Sequence, residues 1–267
     1  MAFALKVILS FLIGGGYVSG IIWFSEKLGS RVGGALTGVP NTVLVSLVFI
    51  NVTENPQATK LATSIIPVML IAVLLYAWVF VKTASLTNKN RHLFATATAT
   101  MAWLLAAAVL RQSFSKAGFV HIVIFTLVGI MLFQYIFHTY AVILPKKRML
   151  PNSIYIVRFL VAGAVIATAV VAARYLGPLW GGVISGFPAT VVAVLYFLSK
   201  SQGGEFAKSF VKQLPLSVIS SLIFVVVLHQ TLTRVSTYIS FLIGMACALI
   251  YTLVLLSVRK SEAATHE

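Results

Sequence analysis

Gly29–Ile50, GSRVGGALTGVPNTVLVSLVFI, is met a second time as Gly177–Leu198, GPLWGGVISGFPATVVAVLYFL. Nine of the 22 aligned positions are identical: Gly29, Gly33, Gly34, Gly38, Pro40, Thr42, Val43, Leu47 and Phe49 recur as Gly177, Gly181, Gly182, Gly186, Pro188, Thr190, Val191, Leu195 and Phe197, each 148 positions later. Each copy is long enough to cross a bilayer, and each carries a proline near its midpoint, where a helix tolerates one least. Apolar segments interrupted by Gly and Pro at corresponding places in two halves point to a transporter-like binding site.

The composition sets the solvent. With 60% hydrophobic and only 9% charged residues over 267 positions, the chain is far from the soluble average and reads as a polytopic membrane protein. Apolar runs of about 20 residues place spans near 4–24, 29–51, 58–82, 92–111, 119–144, 154–175, 177–199, 208–229 and 236–258. The net charge of +15 is carried largely by Lys and Arg in the short loops between these spans. Topology bias accounts for such loops, and nucleic acid is not an expected partner. Cys247 is the one cysteine and lies in an apolar run, so a disulfide within the chain is excluded.

The 148-residue register reaches past the opening motif. Phe11, Leu12 and Gly15 recur as Phe159, Leu160 and Gly163, so the first span belongs to the repeated unit and is expected to be retained, not cleaved as a signal peptide. Lys60 and Pro67 match Lys208 and Pro215; Leu105 and Arg111 match Leu253 and Arg259. The expected fold is all-α: nine transmembrane helices, with a four-span repeat in 1–112, a connecting span in 113–150, a second repeat in 151–260 and a polar tail in 261–267. Five crossings precede the second unit, which makes the two repeats inverted. With nine spans, 14 of the 20 basic residues, Arg158 among them, collect on one side. Were the two proline-bearing segments re-entrant, the split would fall to 11 against 9. The positive-inside rule therefore puts the N-terminus outside and the C-terminus in the cytoplasm, in a bacterial or archaeal cytoplasmic (inner) membrane.

The glycine stripes suit close helix approach. The prolines remove an amide donor in a medium without water, and a packing kink would be the plain explanation. Polar groups gather beside them: Thr37, Gly38, Asn41 and Thr42 around Pro40, and Ser185, Gly186 and Thr190 around Pro188. If spans 2 and 7 are broken there, half-helices over Asn41–Asn51 and Ala189–Ser199 begin at the midplane and present positive dipole ends to an anion, although the preceding carbonyl ends could hold a cation. All five acidic residues, Glu26, Glu54, Glu205, Glu262 and Glu267, fall in loops or the tail, which disfavours coupling through an intramembrane carboxylate. On the connecting span, Gln134 and His138 share a side, either satisfying each other or adding a titrating group to the pathway.

No enzyme is expected, because the spans hold no carboxylate, no HExxH, no His pair at ligand spacing, no P-loop and no dinucleotide fingerprint. No cofactor or metal is expected either.

Gly38-Val39-Pro40-Asn41-Thr42 and Gly186-Phe187-Pro188-Ala189-Thr190, each in a four-span unit, resemble the Gly-rich second span and Pro-x-Thr motif of the GlpM-like family of small four-span bacterial membrane proteins. The resemblance covers both halves but not the connecting span. It implies architecture and no substrate, because the family's activity is not settled.

The functional expectation is a transporter or channel for a small anionic or polar solute, with its site at the paired breaks. The alternative is a non-transporting membrane factor that handles lipid or envelope polymer, or scaffolds partner helices. The lipid bilayer is a partner in both, and a homo-oligomer is compatible with the sequence.

Overall fold

The computed structural model describes residues 2–27, 40–86, 91–140, 153–202 and 204–264. Among them the chain is entirely helical, without strands: α1 Phe3–Lys27, α2 Asn41–Thr53, α3 Pro56–Leu86, α4 Arg91–Phe114, α5 Phe119–His138, α6 Ser153–Tyr175, α7 Pro178–Ser185, α8 Ala189–Gln202, α9 Gly204–Thr231 and α10 Thr237–Ala264. Eight segments, one of them running through α7 and α8, are long and apolar enough to cross a membrane, and α2 is a shorter apolar helix. This is the expected outcome for an apolar chain, since a helix satisfies its own backbone where water cannot.

The outer surface is apolar. Val120, Ile124, Val128, Met131 and Leu132 on α5 are exposed, as are Leu104, Leu105 and Val109 on α4 and Leu242, Ile250 and Leu253 on α10. Such faces suit lipid. The centre belongs to α3, where Ile66, Val68, Met69, Ala72, Leu74, Tyr76, Ala77, Phe80 and Val81 have no exposed surface. Pro67 in α3 and Pro215 in α9 sit inside helices that continue through them.

α1 runs antiparallel along α6. Phe3 meets Tyr175 edge-on at one end, with ring centroids 5.7 Å apart, and Ser19 Oγ donates to Tyr155 O at 3.3 Å near the other. Between them the packing is reciprocal. A Cβ on Gly15 would lie 2.6 Å from Phe159 O, a Cβ on Gly163 would lie 2.7 Å from Phe11 O, and the two phenyl rings meet edge to face at 5.6 Å. Both contacts require glycine, and the residues involved are 148 apart.

The glycines of the second motif also act by close approach. A Cβ on Gly182 would run into Ala62 O of α3, one on Gly186 would lie 2.6 Å from Met69 Cβ, and one on Gly181 would lie 2.7 Å from Ala173 Cβ of α6. Gly177 has φ 95° and turns the chain into α7 ahead of Pro178. The first-copy glycines, Gly29, Gly33, Gly34 and Gly38, lie outside the described residues.

Candidate functional site: a cavity between two proline breaks

α7 stops at Ser185. Gly186 and Phe187 form a turn, Pro188 follows, and α8 starts at Ala189. The sequence ends the helix here by removing the donor at 188 and disfavouring helical geometry at 187. Trp103 of α4 holds the turn by meeting Phe187 edge-on, with centroids 4.9 Å apart. In the first copy, α2 starts at Asn41 directly after Pro40, which sits at φ −75° and ψ 58°, outside helical geometry. Both prolines then cap in the same way: Leu44 N donates to Pro40 O and Val192 N to Pro188 O, each at 2.8 Å. Helices therefore begin directly after both prolines and run to Thr53 and Gln202, while residues 28–39 ahead of Pro40 lie outside the described residues.

The α7–α8 break and the start of α2 open onto one cavity of about 390 Å³, which lies in the usual range for small-molecule sites. Pro40, Asn41 and Thr42 line it from one side; Ser185, Gly186, Pro188 and Thr190 line it from the other. Six lining pairs are 148 apart: Pro40 and Pro188, Asn41 and Ala189, Thr42 and Thr190, Val43 and Val191, Leu70 and Val218, Val73 and Ser221. Thr37 and Gly38 lie outside the described residues. Gln134 and His138 do not line the cavity; Gln134 is half-buried on α5, with Oε1 buried and without a hydrogen-bond partner, and His138 is exposed.

Away from this paired floor the cavity is asymmetric. It extends along Phe210, Gln213, Leu214 and Ser217 of α9 to Arg158 near the start of α6 and Leu256 near the end of α10. The positions 148 before the α9 residues are Ala62, Ile65, Ile66 and Met69 of α3, each no more than 1% exposed. α7 covers that stretch through Gly182 and Gly186. The segment equivalent to α7 in the first copy, residues 30–37, lies outside the described residues.

The polar groups of the wall differ in how they are committed. Ser185 Oγ donates to Gly181 O at 2.7 Å and Ser217 Oγ to Gln213 O at 3.0 Å, so these hydroxyl protons serve their own helices. The side chains of Thr42, Thr190, Gln213 and Ser221 have no hydrogen-bond partner among the described residues, and Thr42 is only 8% exposed. Arg158 is 5% exposed and lines the same cavity. Arg158 lies one turn into α6, where a snorkelling residue and a buried one look alike in sequence, and its side chain is turned into the protein. No carboxylate lines the cavity among the described residues, and none of them forms a metal-binding group of three His, Cys, Asp or Glu.

No protein-family model, curated protein or solved structure matches the chain.

Proposed function

We propose that the chain is a nine-span transporter of a small anionic or polar solute, with its site in the cavity between the Pro40 and Pro188 breaks. The carrying observation is that two proline-led helix starts 148 residues apart line a single cavity. An accidental kink has no reason to meet its own repeat. Two inverted four-span units joined by α5 account for the reciprocal packing of α1 and α6 and for the paired cavity floor. The far end of α2 supports a crossing second span: Lys6 Nζ donates to Val52 O at 2.9 Å and Arg174 approaches Glu54 at 3.4 Å, both at the end where α1 begins and α6 stops. In this reading the positive-inside rule puts the Arg158 end of the cavity toward the cytoplasmic face of the inner membrane. The GlpM-like motif at each break is in keeping with this four-span unit.

The full chain in proteoliposomes, offered carboxylates, sulfonates, phosphates and neutral polar solutes, tests the reading. Solute-dependent flux is expected, and Thr42→Val and Thr190→Val should each lower it about tenfold or more if each hydroxyl contributes one ligand hydrogen bond, with membrane abundance unchanged. Absence of flux for the whole panel, or loss of flux only in step with loss of protein, contradicts transport and leaves the lipid- or scaffold-handling alternative.

A further inference from the structure

We infer that a second cavity, on the outer face of the bundle, holds one acyl chain of an anionic phospholipid, with the headgroup on Lys6. The site is separate from the cavity between the prolines and does not depend on transport. It has a volume of about 460 Å³ and lies between α2 and α10, with Tyr17 of α1 at its inner end. Val52, Tyr238 and Leu242 on its rim are exposed, so it opens on the apolar outer surface of the protein. Three observations name the occupant. First, the lining is sorted by depth: Leu44, Val48, Phe241 and Met245 lie inward, whereas Asn51 and Thr237 stand at the end where α2 stops and α10 begins. An amphiphile that keeps its head wet and buries its tail matches that order. Second, Leu44 to Val52 covers about 12 Å of helix rise, close to the roughly 15 Å depth of one hydrocarbon leaflet. Third, the mouth is positive. Lys6 Nζ donates to Val52 O at 2.9 Å, which fixes the ammonium beside a lining residue. That bond to a neutral carbonyl takes one of three ammonium protons and leaves the charge in place. Lys60, bonded to Thr233 Oγ1, and the exposed Arg234 lie at the same end, where the described acidic residue, Glu54, is already paired with Arg174. The sequence also accounts for the gap. In the second repeat the equivalent helices, α8 and α4, meet through Tyr196 and His92, with ring centroids 5.0 Å apart. The positions 148 away are Val48 and Ser240, which carry no rings to bridge the two helices.

Native mass spectrometry of the full chain in detergent, titrated with phosphatidylglycerol or with phosphatidylcholine of the same acyl chains, tests the site. Phosphatidylglycerol should be retained about fivefold more tightly, the preference expected from one lysine beside an anionic headgroup. Lys6→Gln should remove that preference and Lys6→Arg should keep it. Val48→Trp, which fills the space between α2 and α10, should lower retention of phosphatidylglycerol about tenfold or more. If that variant is not monodisperse, Leu242→Trp on the exposed rim should do the same, whereas Leu253→Trp, exposed on α10 but away from the cavity, should leave retention unchanged. Equal retention of the two lipids, a preference that survives Lys6→Gln, or retention that is unaffected by filling the cavity would each overturn the inference. Tighter retention of oleate than of phosphatidylglycerol would give the site to a free fatty acid, and a dimer that Leu242→Trp dissociates would give it to a second copy of the chain; either result also overturns it.

Discussion

Gly182 and Arg158 show two ways in which one side chain fixes this protein. Gly182 is constrained by what is absent: its Cα lies so close to Ala62 O that a methyl group has no room, and the obstacle is backbone. Gly182→Ala is expected to destabilise the folded protein by about 1–3 kcal/mol, the usual cost of overpacking, whereas Gly20→Ala, which meets nothing within 4 Å, should be close to neutral. Thermal denaturation in detergent compares the two, and equal stability of the variants would contradict the packing account. Arg158 is the opposite case, a long charged side chain taken out of solvent. Its burial could not be read from the chain, because charge counting sorts residues by position along a helix and not by the direction in which they point. The threonines were legible, since they recur at 148 residues beside a helix breaker. Ser185 was legible too, but its hydroxyl is committed to Gly181 O.

At the scale of the element, the same residue type has two outcomes. Pro67 and Pro215 lie within α3 and α9, which run on through them, whereas Pro188 separates α7 from α8 and Pro40 stands at the start of α2. The difference lies in the neighbours. Gly186 precedes Pro188 by two residues and terminates α7 with its N–H on Gly182 O and Val183 O, both at 3.1 Å, whereas Pro67 follows Ile65 and Ile66, which are locked in the core. A proline alone therefore did not announce a break; glycine and proline together did. Pro188→Ala restores the missing donor, so α7 and α8 should join and the Thr190 amide should turn from the cavity to its own helix. Flux should fall while the variant inserts and elutes like the parent. Wild-type flux in Pro188→Ala would show that the interruption is only a packing kink.

At the scale of the whole molecule, the repeat predicted that the two halves meet at the breaks, and the six cavity-lining pairs follow that register. Among the described residues, Phe210, Gln213, Leu214 and Ser217 face the cavity, whereas their counterparts Ala62, Ile65, Ile66 and Met69 are buried, with α7 packed against Ala62, Ile65 and Met69 through Gly182 and Gly186. In a Cys247→Ser background, Ser217→Cys should therefore react quickly with a water-soluble thiol reagent and Met69→Cys slowly. Equal labelling would contradict the difference in burial. A carrier of inverted repeats works by exchanging which half is open, so Met69→Cys should label faster during turnover, whereas a fixed channel leaves its rate unchanged.

The most direct measurement of the central claim uses that same cysteine. Uptake of a panel solute that the parent chain carries is followed in proteoliposomes holding the Cys247→Ser, Ser217→Cys chain, before and after complete reaction with a bulky maleimide. If the space between the two broken helices is the route, uptake is present at first and falls about tenfold or more after labelling, more than one 1.4 kcal/mol step in the barrier, with the protein still monodisperse. Undiminished uptake through fully labelled protein would place the route elsewhere.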